Sequence, residues 1–259
     1  MGCANYHAWL IFNDGMKWLV RIPGTGFSDT PLELGEYLVK SEYATLKFLE
    51  GTNVPAPKVF GYALASDPKN RVGVSYILMQ ALPGRPYYAH EASEEHKEKA
   101  LGQVADIMIE ISKYPFDSIG NRFVHLSPHG LFKTSTEYTN YIIESYMDLI
   151  ADGQIHHSYP REAYLLYNLL RQNVDNLTQP PSTIAPQHRN KFYLKHPDDK
   201  GDHILIDEKY NITGLIDWRF ARVVPALEAF GPGYLTADLG NYIQLRLVSW
   251  VTIGFLQVL

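Results

Sequence analysis

The chain has 259 residues, 46% of them hydrophobic, a formal net charge of −5 and a single cysteine. That length and apolar share support a sizeable core and exclude a disordered chain. The acidic balance argues against nucleic acid as a partner, and the lone Cys3 excludes a disulfide framework and fits a reducing, cytoplasmic setting.

The start, "MGCANYHAWL", lacks the basic opening and sustained apolar core of a signal peptide. "MGC" hints at acylation, but Tyr6 stands where myristoylation expects Ser or Thr. Tyr6 to Phe12 and Met16 to Ile22 are strand-like runs around Asn13, Asp14 and Gly15, a strong hairpin signal. In the second run Trp18, Val20 and Ile22 alternate with Lys17, Leu19 and Arg21, so the two cations share a face. Pro31 to Glu50 is predicted helical, with Leu38, Glu42, Thr45 and Leu49 on one stripe and Gly51 beyond its end. "VPAPKVFGY" is too rich in proline for helix and is expected to connect. Val72 to Gln80 is a predicted strand, closed by a Pro- and Gly-rich break from Ala81 to Pro86.

Beyond that break the pattern turns helical. Ser93 to Ser112 is amphipathic, with Leu101, Val104, Ala105, Met108 and Ile109 expected inside. Tyr138 to Ala151 and Arg161 to Asn173 are two further helices, and "TQPPSTIAPQH" is a loop. His203 to Asp207 and Ile212 to Ile216 are short strands joined by "EKYN". The apolar tail from Leu247 to Leu259 is too short to span a bilayer, so no membrane partner is expected. A strand-rich first third before a helical remainder is α+β in two lobes.

The richest segment chemically runs from Lys191 to Glu208 and holds His196, Asp198, Asp199, Asp202, His203 and Asp207. Pairing the two last strands so that Ile206 faces Gly214 and Ile204 faces Ile216 sets His203 opposite Asp217, with Asp198 just before them. A solvated hairpin end would look the same. "HPDD" also opens the site of zinc-dependent LmbE-like deacetylases, but here no histidine follows His203 to complete a ligand set. A generic metal hydrolase leaves the first eighty residues without a role. Phosphoryl transfer uses both halves: it needs a base, metal on the phosphates, a cation over them and a holder for that cation. Asp198 can be the base and Asp217 a ligand for Mg²⁺. Arg21 and Glu42 can be the cation and its holder, and Gln80 to Gly84 a hinge along adenine.

Five segments then come in one order: "WLVRIPG", "SEYATLKFLEGTNVPAPKVFGY", "YILMQALPG", "FYLKHPDDKGDHILID" and "ITGLIDWRFARVVPALEAFGP". Together they resemble the aminoglycoside phosphotransferase family, which shares the protein-kinase-like fold with choline kinases, and are most similar to its fungal branch. The resemblance implies an ATP- and Mg²⁺-dependent kinase acting on a small-molecule hydroxyl. It implies a small antiparallel-sheet N-lobe over residues 1–80 and a mostly helical C-lobe over 81–259, with ATP between them. It places the base at Asp198, a loop lysine near the γ-phosphate at Lys200, and metal at Asp217. Arg21 and Glu42 become the strand cation and helix glutamate, and Gly2 and Asn5 the remnant of the nucleotide loop. Met79, Gln80 and Ala81 form the adenine edge, and His196 holds the catalytic loop. The partners it implies are ATP and a small-molecule acceptor.

The family pattern has Asn where this chain has His203. Imidazole suits Mn²⁺ or Zn²⁺ better than Mg²⁺, with Asp202 next to it as a substitute through water. The first strand of the pattern and its helical tail are not matched, so the chain is expected to be truncated at both ends. His203 and those ends also fit an alternative: a degenerate relative that binds nucleotide or a partner without turnover.

Overall fold

A computed structural model describes residues 5–24, 31–119, 132–179, 190–196 and 201–231. Gly2, Asp198, Lys200 and the tail from Leu247 to Leu259 therefore lie outside the described residues. The chain divides into two compact units. Among the described residues the first takes those up to Lys113 and His196–Arg222, the second Tyr114–Lys195 and Val223–Gly231. The boundary expected near Ala81 falls inside the first unit.

The first unit opens on the predicted hairpin, β1 (Asn5–Ile11) and β2 (Lys17–Pro23). Gly15 sits at φ 83°, a left-handed value that glycine reaches without steric cost, and the Asp14 carboxylate accepts from the Met16 amide at 3.0 Å. The turn centres the register, so His7 lies opposite Arg21. Helix α1 (Leu32–Leu49) follows, then β3 (Val59–Ala63) and β4 (Tyr76–Gln80), giving one sheet in the order β1-β2-β4-β3. Strand β3 was not expected. Pro55 and Pro57 exclude helix, but both precede the strand, and its β-branched and aromatic residues pair with β4 across an irregularity between Val59 and Gly61. The predicted run from Val72 shortens to Tyr76 because Asp67 to Gly73 forms turns, Asn70 bonding the Leu64 and Val74 carbonyls at 2.8 Å each.

One face of this sheet holds Leu19, Arg21, Ile77 and Met79 in cross-strand register, and α1 packs on β3 and β4. The helix turns Val39, Glu42, Thr45, Leu46 and Leu49 inward at helical spacing. The opposite face is aromatic: Trp18 stacks on Phe60 at 4.1 Å between centroids and meets Phe12 edge-on.

After β5 (Arg85–Pro86) comes α2 (Glu94–Ser112), capped by the Ser93 hydroxyl, which accepts from the His96 amide. Its inward residues are Ala100, Val104, Glu110 and Ile111. Leu101, Ala105, Met108 and Ile109, expected inside, are exposed, Ile109 at 58%. The apolar stripe was real, but polar bonds decide which side faces inward. Glu110 accepts from the Asn53 amide and side chain at 3.0 Å each, while Gln103 bonds the Tyr210 carbonyl and the Ile212 amide. Through these bonds α2 clamps the hairpin of β7 (Ile204–Ile206) and β8 (Ile212–Leu215), which with β5 forms a sheet ordered β5-β7-β8. Tyr87, Ala100, Ile204 and Ile206 form its core.

In that hairpin the predicted register is off by one at Ile204 and Leu205 and by two at Ile206, which faces Ile212. Ile204 faces Leu215 rather than Ile216, and Leu205 faces Gly214. His203 meets Ile216, its carbonyl accepting the Ile216 amide at 2.9 Å, so it is not opposite Asp217. The cause lies in the turn: Asp207 accepts from the Lys209 and Asn211 amides, Tyr210 takes φ 57°, and a bulge between Leu205 and Ile206 absorbs one residue. The predicted alternation also fails, since Ile204, Leu205 and Ile206 are all buried. Gly84, at φ 116°, lets the break before β5 press on this hairpin: a Cβ there would stand 2.8 Å from the Ile206 carbonyl oxygen.

The second unit contains α3 (Ser135–Ala151), α4 (Pro160–Gln172) and α5 (Val174–Leu177), where Ile143, Met147, Leu170 and Val174 pack together. A capping box at Thr134 and Glu137 starts α3. Strands β6 (Phe192–Lys195) and β9 (Arg222–Pro225) pair, and α6 (Ala226–Ala229) follows β9. Sequence periodicity missed this pair because each strand is only 4 residues long.

Candidate active site

Three elements of the first unit meet at Arg21. Strand β2 carries it on the sheet face toward α1, and it is buried, 6% exposed. Its Nη1 donates to Glu42 Oε1 on α1, and its Nη2 donates to Asp217 Oδ1 at 2.5 Å. One guanidinium thus spans two carboxylates that lie 175 positions apart (217 − 42). The planar fork of arginine suits this bridging; a lysine would offer a single point charge.

The two carboxylates differ sharply. Glu42 is 3% exposed. Burial pushes its carboxyl up to about 7; Arg21 pulls against that, Asp217 adds to it and Arg219 pulls down again. The Asp217 side chain is 50% exposed and stands at φ 67°, ψ 53°, a left-handed backbone that a non-glycine residue adopts at a cost. Just after it the chain enters a 3-10 turn, Trp218–Phe220, that packs on α1. Buried Trp218 anchors this turn by donating from Nε1 to the Leu215 carbonyl at 3.0 Å. Strain at Asp217 is thereby held by packing on both sides, leaving the outer carboxylate edge open for a ligand.

His203, expected as a metal ligand, is 7% exposed and stacked on His196 at 4.2 Å between centroids. His196 Nε2 donates to the Ile216 carbonyl at 2.9 Å, and its ring meets Trp218 edge-on. This aromatic column braces the segment leading into Asp217. Among the described residues no three His, Cys, Asp or Glu side chains gather as a metal cage. The half-exposed Asp217 carboxylate offers the oxygen donor that Mg²⁺ takes.

Of the other predicted site residues, Met79 lies on the sheet face of Arg21, two residues along from Ile77, which is Arg21's own partner. Gln80 ends β4 on the opposite face beside Trp18, its amide donating to the Lys58 carbonyl at 2.8 Å; Ala81 follows, half-buried. Asn5 opens β1 opposite Pro23. Two residues near the centre were not anticipated. His7 lies directly across from Arg21, and burial, then Arg21, hold its imidazole below the usual histidine value. Counting outward from Asn13 to Gly15 would have found it. Arg219, two positions after Asp217, is the other.

The chain matches the model of the phosphotransferase enzyme family over residues 2–235. No curated protein matches it. Among solved structures it is similar to a candidate aminoglycoside phosphotransferase from Ralstonia eutropha JMP134, with 14% identity, a TM-score of 0.54, and coverage of 100% of this chain and 72% of that one. A type I macrolide 2′-phosphotransferase aligns at 14% identity and TM-score 0.47, covering 100% and 80%. An ethanolamine kinase from Plasmodium vivax aligns at 12% and 0.47, covering 100% and 69%. The chain belongs to the phosphotransferase enzyme family, and its fold is the α+β, protein-kinase-like fold of such proteins.

Proposed function

We propose that this member of the phosphotransferase enzyme family transfers the γ-phosphoryl group of ATP to a hydroxyl of a small molecule. The observation that carries the reading is Arg21 bridging Glu42 and Asp217. Phosphoryl transfer asks a protein mainly for positioning and for charge opposite the phosphate oxygens. Arg21 is the phosphate-facing cation, and Glu42 fixes its guanidinium plane. Asp217, half exposed and adjoining that cation, is the carboxylate for Mg²⁺, with Mn²⁺ as a second candidate. A metal held by Asp217 would neutralise charge on the phosphate oxygens. Asp198 accepts the proton of the acceptor hydroxyl as its oxygen bonds to the γ-phosphorus. The bond from that phosphorus to the β,γ-bridging oxygen breaks, and ADP leaves. Lys200 neutralises the γ-phosphate, Gly2 and Asn5 belong to the nucleotide loop, and Met79, Gln80 and Ala81 border adenine.

His203 favours a second reading, nucleotide binding without turnover: its ring is spent on stacking with His196 where the family places Asn. Phosphate transfer from ATP with Mg²⁺ and with Mn²⁺, in the parent chain and in Asp198→Ala, separates the two. Turnover lost in Asp198→Ala supports the kinase; nucleotide-induced thermal stabilisation without turnover supports the second reading. Neither stabilisation nor turnover with any nucleotide would sink both.

A further inference from the structure

We infer that Arg219 is a second phosphate-binding cation, forming with Arg21 a two-guanidinium cradle for the β- and γ-phosphates; this rests on the ATP reading above. Arg219 lies in the 3-10 turn that begins directly after Asp217 and packs on α1. Asp217 in turn holds Arg21 at 2.5 Å, and the turn that follows sets Arg219 within electrostatic reach of Arg21. Its Nε is buried without a hydrogen-bond acceptor among the described residues. A buried, unanswered donor on a charged group is costly, and native structures keep such groups chiefly where a ligand or water completes them. The guanidinium carbon lies 5.4 Å from the Phe220 ring centroid, which supports the group on one side.

The electrostatic surroundings agree. Arg219 shares its surroundings with the charges of Arg21, Glu42 and Asp217. Two like charges act on one another in a partly desolvated site, and both carboxylates there, Glu42 and Asp217, are bonded to Arg21. An anion with several oxygens relieves that repulsion and accepts from the open Nε. A polyphosphate fits this need better than a monophosphate, because it can reach both guanidiniums at once.

Calorimetric titration of the full chain with ATP, ADP and AMP in Mg²⁺, for the parent, Arg219→Gln and Arg219→Lys, tests this. Arg219→Gln is expected to weaken ATP and ADP about 10-fold, one charge-assisted hydrogen bond's worth, with AMP changed less than about 2-fold. Arg219→Lys, keeping charge but not the Nε donor, should fall between, about 3-fold weaker for ATP. Unchanged ATP affinity in Arg219→Gln, or an equal loss for ATP and AMP, overturns the assignment while leaving the ATP reading intact. A parent chain that binds none of the three overturns both. If Arg219→Gln does not fold, Arg219→Lys decides alone: a loss confined to ATP and ADP supports the cradle, and unaltered ATP affinity refutes it.

Discussion

Helix α1 carries two inward carboxylates less than two turns apart, and their surroundings differ in kind. Glu36, near its start, accepts from the Ser66 amide and hydroxyl at 2.7 Å each. Those bonds hold its carboxyl below the ordinary range. Glu42, further along, faces charges alone: Arg21 from the sheet, and Asp217 and Arg219 from the turn after β8. Neutral donors from one neighbouring loop tie a carboxylate down and complete it. Charged partners from other elements leave it balanced, and an incoming polyanion can redistribute them. On the function proposed above, the part of α1 that answers a ligand is the part whose hydrogen bonding is ionic.

The strongest test of that contrast is chemical. Asp217→Asn is expected to lower phosphate transfer by about 10²- to 10³-fold, the range for removing one preorganised charge-stabilising group, with little change in melting temperature because the side chain is half exposed. A variant that keeps its turnover would place the metal elsewhere. Next in size, Glu42→Ala should cost on the order of 3 kcal/mol in denaturant titration, since it strips a buried guanidinium of its deepest partner. The lower end of the range applies because Asp217 still engages Arg21. A loss no larger than that of Glu36→Ala would erase the distinction between the two halves.

Proton linkage gives a subtler separation. Glu42 titrates near 7 when folded against a reference of 4.5, so the native state binds more protons between those values. Its contribution is present below the reference value and is lost as pH rises through the folded value. Glu36, whose value is lowered, contributes above its reference of 4.5 and loses that contribution as pH falls through the folded value. Stability profiles by denaturant titration should flatten between pH 4.5 and 7 in Glu42→Gln and only on the acid limb in Glu36→Gln. Slopes unaffected in both variants would contradict the assignment. The smallest effect is expected for Ser66→Ala: a slight fall in melting temperature and an unaltered shift on adding nucleotide.

The features legible in the sequence share one property: a local signal. Asn13 to Gly15 centred the first hairpin, and the apolar stripe of α1 already carried Glu42. Arg21 and Asp217 came from short motifs on either side of the chain. What could not be read depended on distant partners. Periodicity gave α2 a stripe through Met108, but Glu110 bonding to Asn53 and Gln103 to the hairpin turned a different side inward. The register of β7 and β8 needed the left-handed Tyr210 and its bulge, which "EKYN" does not announce. For His203, the sequence does not separate a ligand histidine from a packed one, and its stacking on His196 is a three-dimensional fact. Arg21 and Glu42 were paired from the sequence, but the depth of their burial is a fact of the packing between β2 and α1.

The left-handed backbone at Asp217 also constrains how this protein could lose its chemistry. Such φ values are tolerated chiefly by glycine, asparagine and aspartate. Aspartate codons are a single base from those of asparagine and glycine, so the mutations the conformation most readily accepts are ones that delete the carboxylate. Gene copies carrying them would still produce a well-folded protein, invisible to any screen for solubility or expression. Glutamate, which keeps the charge, would meet the backbone penalty instead.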